Sequence, residues 1–269
     1  MSTVSRKLRW AVFILQLSSA VGLCGCATLG EFNSATGRKE FILIPTDAEV
    51  SMGKNIHQEI VAQYGLVTQK AQLDRLQSIG RRLARVSDRQ DYQYNFFLVN
   101  GKDINAFTTP GGNVYFFVGL LNKLTTDDQI AAVLAHEIGH CAARHTIKKY
   151  QAQLGYNLIG SIIFSQVQMG EGVKQTAQLA SNAAMQLAMS AYSRQDEYEA
   201  DRLGVKYMYL AGYNLNGMIE TLQVLERESK GAKPPLILST HPYVSDRIKA
   251  AQEEIKSASL KYQSMAKKN

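Results

Sequence analysis

Residues 136–140 read His-Glu-Ile-Gly-His, and no other stretch constrains the chain so tightly. Two histidines four positions apart share one face of an α-helix, where both rings can reach one metal ion. Glu137, one step round that helix, is placed to take the proton of a water activated by such an ion. The flanks favour a helix. Thr125-Thr126-Asp127-Asp128 offers a capping hydroxyl and first-turn acids, and Ile130, Val133, Leu134 and Ile138 follow at helical spacing. Two histidines are an incomplete site, so a later segment must bring a third donor.

The 269 residues are enough for one good-sized core, or for one domain with a tether. Hydrophobic residues at 45% and charged residues at 20% describe a globular protein and exclude a disordered one. The formal charge is +7, and it falls to +4 once Arg6, Lys7 and Arg9 leave with an N-terminal leader. No arginine cluster is interleaved with aromatics, so nucleic acid is not an expected partner. A mild attraction to an anionic membrane surface is the most this charge supports.

The N-terminus has the form of an export signal. Arg6-Lys7-Leu8-Arg9 precedes the apolar run from Trp10 to Leu17, and small residues lead to Leu23-Cys24-Gly25-Cys26. Leu23 at −3 and Gly25 at −1 fit a lipoprotein cleavage site before Cys26, whereas cleavage before Cys24 would put Leu23 where a small residue is wanted. Residues 1–25 are therefore expected to be a signal peptide, with Cys26 lipidated. Three acyl chains anchor stably, each buried methylene adding about 0.8 kcal/mol. Ala27-Thr28 lacks an inner-membrane retention aspartate, which favours the periplasmic face of the outer membrane. Cys141 is then the one thiol of the folded body. This excludes an internal disulfide and makes a small buried apolar role the simplest one for that residue.

Residues 26–45 form the tether, with Phe41-Ile42-Leu43-Ile44 expected as a short strand closed by Pro45. Residues 46–269 are assigned to one folded domain. Thr46-Asp47-Ala48-Glu49 has the pattern of a capping box opening a helix to about Tyr64, on which His57 has a surface or packing role. A second helix fits Gln69 to Val86, with Arg81, Arg82 and Arg85 on its wet side. The β region comes next: Tyr92–Asn100, Ile104–Thr108, and a Pro110-Gly111-Gly112-Asn113 turn into Val114–Val118. A small sheet just before the metal helix could present an edge to an extended peptide, or serve structure alone. Residues 150–192 are poor in charge, with a break at Gly170-Glu171-Gly172. There Met169, Met185 and Met189 are packing residues or the lining of a groove for unfolded chain. A helix from Leu215 to Lys230, a loop from Gly231 to Tyr243 and an amphipathic helix from Ser245 complete the chain.

The third donor is sought in Ala191-Tyr-Ser-Arg-Gln-Asp-Glu-Tyr-Glu-Ala-Asp201. Glu197 and Asp201 share a helical face, so Glu197 can reach the metal while Asp201 accepts the free N–H of a ligand histidine. Glu199 points elsewhere and is expected to be solvated. An exposed acidic face would account for this run alone, but not for its pairing with His-Glu-x-x-His. His145 lies too far round the helix from His140 to join the ligands and is expected to be structural.

These blocks, with Thr36-Gly37-Arg38, Asn105-Ala106-Phe107, Pro110-Gly111-Gly112 and Thr240-His241-Pro242, resemble the M48 family of zinc metallopeptidases. Within it, the likeness is to the periplasmic lipoprotein branch related to the mitochondrial Oma1 proteases. The resemblance implies an α+β, mainly α, gluzincin-type fold with a small β-sheet flanking the His-Glu-x-x-His helix. It implies one Zn2+ per chain on His136, His140 and Glu197, with Glu137 as general base and Asp201 behind a ligand. His241 sits in the family's His-Pro context. Three roles stay open for it: stabilising an oxyanion, occupying the open zinc position in a latent enzyme, or packing before Pro242. Arg247 is a second candidate for contact with that site. The function implied is a zinc endopeptidase acting on misfolded or misassembled envelope polypeptides. The rival is a chaperone or assembly factor for outer-membrane proteins, working with their assembly machinery and cleaving secondarily.

Overall fold

A computed structural model describes residues 30–164, 186, 190–231 and 234–266. The signal peptide, Cys26, the Gly170 break and Met169, Met185 and Met189 lie outside the described residues. The fold is mainly helical, with two small sheets.

β1 (Glu31–Asn33) and β2 (Arg38–Glu40) make an antiparallel hairpin in the register Phe32↔Lys39. The strand expected at Phe41–Ile44 does not form. Its backbone is held instead by side chains: Gln151 accepts from the N–H groups of Leu43 and Ile44 and donates to Phe41 O, while Arg144 donates to Ile44 O. Side-chain partners satisfy these groups as a neighbouring strand would, so the apolar run gains no sheet.

α1 (Thr46–Tyr64) follows, and its expected capping box is absent. Glu49 turns inward to Arg89 and Arg144, where a buried carboxylate finds stronger partners than a backbone N–H. α2 (Lys70–Ala84) lays Leu76, Ile79 and Leu83 on the core and leaves Arg81, Arg82 and Arg85 exposed. β3 (Asn95–Val99), β4 (Ala106–Thr109) and β5 (Asn113–Phe117) form a sheet of order β3-β5-β4, parallel between β3 and β5 and antiparallel between β4 and β5. β4 is thus an edge strand, and it is the strand packed most closely on the metal helix, with Thr108 Oγ1 2.7 Å from Cys141 Sγ. Gly111 and Gly112, both at φ +80°, make the turn into β5, a conformation that side chains oppose.

After the single turn α3 (Val118–Leu121) comes α4 (Asp127–Ala142), the helix of the histidine motif, capped by Thr126 accepting from Gln129 N. Every residue from Gln129 to Ala142 is buried, so tertiary packing on all sides supports this helix rather than one amphipathic face. α5 (His145–Phe164) leaves at once through Arg144, whose φ of 57° reverses the chain. α6 (Arg194–Ala211) crosses α4 at Gly139, where a Cβ would stand 2.8 Å from the Ala200 carbonyl oxygen. Only glycine lets these two backbones approach so closely. α7 (Asn216–Ser229), the short α8 (Ile237–Thr240) and α9 (Val244–Ala266) cover the far side. Among the described residues no helix is long and apolar enough to cross a membrane.

Candidate metal centre

Three segments converge on one buried point. α4 supplies His136 and His140, the first turn of α6 supplies Glu197, and the residue after α8 supplies His241. A capping box fixes the start of α6: Ser193 accepts from Asp196 N, and the Asp196 carboxylate accepts from Ser193 N. Glu197 is therefore aimed by a rigid helix terminus crossing α4 at Gly139. His241 is held by its own N–H on Ile237 O at 2.7 Å, and α8 is tied to the segment leading into β4 by Ile237 N donating to Ile104 O.

The donor spacings test the fit to a cation. His136 Nε2 and His140 Nε2 are 3.0 Å apart. Glu197 Oε1 is 3.4 Å from His140 Nε2, and Glu197 Oε2 is 3.7 Å from His136 Nε2. His241 Nδ1 is 3.2 Å from His136 Nε2 and 3.1 Å from Glu197 Oε1. Tetrahedral zinc with bonds of roughly 2.0–2.2 Å separates its donors by about 3.3 Å, so the set matches. The proton inventory agrees. His136 gives its Nδ1–H to Asp201 Oδ1 at 2.8 Å, and His140 Nδ1 faces His145 Nδ1 at 2.8 Å. With Nδ1 the protonated nitrogen of each ring, both Nε2 atoms present lone pairs to one another, an arrangement suited to a shared cation. Glu137 is fully buried, neither of its carboxylate oxygens has a hydrogen-bond partner, and His241 Nε2 stands 3.5 Å from Oε1.

The electrostatics sort these groups by task. Burial drives the His140 imidazole well below its ordinary pKa, keeping it in the neutral form that binds metal. Burial likewise pushes the Glu137 carboxyl up, outweighing the pull of His241 and His136, in the direction a general base needs. For Glu197, burial would raise the pKa, but Arg247 and His241 carry it well below the carboxylate range. Arg247 is fully buried on α9, with Nη1 2.6 Å from Glu197 Oε2 and Nε 2.7 Å from Asp201 Oδ2, and it holds Asp201 low in the same way. His241 is lifted above its ordinary value, because Glu197 and Glu137 overcome its desolvation.

The residues expected from the sequence are thus brought together: His136, Glu137, His140, Glu197, Asp201, His241 and Arg247. Cys141 is small and buried as expected and is not one of the converging donors, but its thiol, pushed up to about 12 by burial, hydrogen-bonds Thr108 Oγ1. His57 bonds Tyr115 OH at 3.0 Å and is not one of the converging donors. The expectation that Glu199 is solvated is corrected. Glu199 is largely covered, pairs with His145 Nε2 at 3.2 Å and Arg38 at 3.0 Å, and is held below the usual carboxylate range because these partners outweigh its burial. Sequence reasoning also missed Tyr192, whose ring stacks on His140 with centroids 3.8 Å apart. Its place beside the acidic run was the available signal.

Comparison with known proteins bears on the same segment. The profile of peptidase family M48 matches residues 70–255. The chain is 28% identical over 211 residues to the β-barrel assembly-enhancing protease of Escherichia coli K12, covering 76% of this chain and 43% of that protein. It is 27% identical over 235 residues to the mitochondrial metalloendopeptidase OMA1 of Schizosaccharomyces pombe, covering 86% and 68%. To metalloprotease LoiP of E. coli K12 it is 26% identical over 196 residues, covering 70% and 72%. This chain thus spans less than half the length of the first of these relatives. The family match runs over more than half of the chain, including the segment that carries every converging donor, so the chain belongs to peptidase family M48.

Proposed function

We propose that the chain is a zinc endopeptidase of the bacterial envelope that cleaves misfolded or misassembled envelope polypeptides. The observation that carries this is the group of two imidazoles and a carboxylate at the donor spacing of zinc, with the unpartnered Glu137 beside it. His136, His140 and Glu197 would hold zinc, which when bound supplies Lewis acidity for the scissile carbonyl and brings the pKa of water down to about 7. Glu137 takes the proton of the attacking water and passes it to the departing amine, a role its raised pKa favours. Asp201 fixes the His136 ring through Nδ1, and Arg247 keeps Asp201 and Glu197 ionised.

His241 would serve, once deprotonated by metal binding, as a fourth donor that closes the site at rest. Its Nδ1 lies at ligand spacing from both His136 and Glu197, and a closed four-ligand set leaves no position for water. Substrate entry then requires the His241 segment to swing away. Every residue of the edge strand β4 is buried beside α4, so an extended peptide could pair with it only once that edge is uncovered; the buried Asn105 amide just before it has no partner of its own. Val133, Met218, Leu222 and Ile237 line a small, mostly apolar cavity next to Glu137 and His241. Lipidation at Cys26 would place this site at the periplasmic face of the outer membrane.

A second reading, an assembly factor for outer-membrane proteins with secondary proteolysis, is favoured by one finding: the relative named for enhancing β-barrel assembly. The test of the main reading uses purified protein and casein as unfolded substrate. Cleavage is expected in the wild type, lost on chelation, restored by zinc, and lost in Glu137→Gln although zinc stays bound. Wild-type cleavage by Glu137→Gln would remove the mechanism. Rescue of a deletion strain by the same variant would favour the assembly role.

A further inference from the structure

The Thr36-Gly37-Arg38 turn and His145 have no part in the steps above, yet the geometry connects both to a metal-facing histidine. His140 turns Nε2 to the donor group, so its Nδ1–H is the proton free for a partner, and His145 Nδ1 receives it at 2.8 Å. With Nδ1 accepting, His145 is the Nε2–H tautomer. That N–H faces Glu199 Oε2 at 3.2 Å, with Asp196 Oδ1 farther off at 3.5 Å. Both Glu199 oxygens accept from Arg38 Nη2, at 3.0 and 3.1 Å. One direction of donation therefore runs from His140 to the Glu199 carboxylate, where the Arg38 guanidinium closes the chain.

The hairpin that carries Arg38 is itself fixed between the two ligand-bearing helices. Asn33 Nδ2 donates to Ala142 O at the end of α4, and Arg202 of α6 donates to Ala35 O. Glu40 is gripped by Asn33, Thr36 and Lys148, so the turn is held in place before Arg38 reaches out.

We propose that Arg38, Glu199 and His145 are positioning residues that orient the His140 ring and strengthen it as a donor, with the hairpin as the clamp that sets them. The two histidines are thereby supported differently. His136 meets a carboxylate directly in Asp201, whereas His140 reaches one through a second imidazole. A neutral imidazole is a weaker acceptor than a carboxylate, and the anion behind it polarises it. Tyr192 stacks on the face of the His140 ring, and the relay sets its rotation within that plane. The inference rests on the reading of His140 as a zinc ligand.

The test is zinc affinity of the full-length protein by chelator competition, with thermal unfolding of the metal-free form alongside. His145→Ala should weaken zinc on the order of 10–100-fold, the weight of partners that orient ligands. Arg38→Ala should weaken it on the order of 3–5-fold, what a partly exposed ion pair supplies, and Arg38→Lys should recover most of that. Arg38 is 62% exposed in its side chain, so its loss should leave metal-free unfolding nearly unchanged. The double variant should bind zinc no more weakly than His145→Ala alone, because Arg38 acts only through His145. Wild-type affinity in Arg38→Ala, or losses that multiply in the double variant, would overturn the relay. If His145→Ala does not fold, the same cycle between Arg38→Ala and Glu199→Gln decides it. A wild-type protein without zinc would defeat the metal site instead, a separate outcome.

Discussion

Removing Glu49 tests how the metal helix is held at its C-terminal end. Glu49 is buried on α1 and shared by two cations. Arg89 donates to it from Nη1 at 3.0 Å and Nη2 at 3.1 Å, and Arg144 closes from the other side. These arginines hold the exit of α4: Arg89 also donates to Cys141 O, and Arg144 is the left-handed residue that turns the chain into His145. Glu49→Ala leaves two nearly buried guanidinium groups without their common anion. Breaking a buried pair from one side costs about 3–5 kcal/mol. Asp91 still holds Arg89 at 2.8 Å, so the lower end, about 3 kcal/mol, applies here. At roughly 2–4 °C per kcal/mol for a chain of this size, the metal-free protein should unfold about 6–12 °C lower. The assay is thermal unfolding by circular dichroism at neutral pH. The drop should persist in high salt, because buried pairs are poorly screened. A shift under about 2 °C, the value of an exposed pair, would refute the reasoning. So would an increase in stability, since it would mean that burying these charges costs more than their pairing returns.

Other expectations follow from the site. Gly139→Ala sets a Cβ 2.8 Å from the Ala200 carbonyl and must part α4 from α6; it should cost about 1–3 kcal/mol and weaken zinc, read by unfolding and metal titration. His241→Ala should speed cleavage of casein while loosening zinc; an inactive variant with zinc fully bound would instead assign His241 to the reaction itself. Asp201→Asn should weaken zinc on the order of 10–100-fold, by leaving His136 without its carboxylate. In the metal-free protein Asp201 titrates below its unfolded value of about 3.9, so its contribution is full above that pH and is lost as pH falls through the lower folded value. The acid limb of the stability curve should therefore be shallower in Asp201→Asn than in the wild type.

The sequence was most informative where local spacing decides geometry. His136, Glu137 and His140 lie within one helical turn, and Glu197 with Asp201 within another, so each pair's shared face follows from helical periodicity alone. The turn at Gly111-Gly112 and the cap at Thr126 were legible for the same reason. Readings failed where distant side chains compete for a local group. Glu49 looks like a capping acid until Arg89 and Arg144 claim it, and Phe41–Ile44 reads as a strand until Gln151 satisfies its backbone. His145 stays outside the donor group, as its spacing implies, but its contact with His140 was not legible, because the helix ends before it. Arg144 at φ 57° folds the chain back, so that five positions no longer mean the wrong face. No periodicity encodes that reversal. Glu199 was misread as solvated, because its partners lie 54 and 161 positions away.

The account rests on a single cation bound by two imidazoles of α4 and a carboxylate of α6. X-ray absorption at the zinc edge measures this directly on the purified protein. The prediction is a shell of nitrogen and oxygen donors near 2.0–2.2 Å, with imidazole outer-shell scattering that diminishes in His241→Ala. A sulfur donor near 2.3 Å, or a coordination shell unchanged by Glu197→Ala, would contradict it.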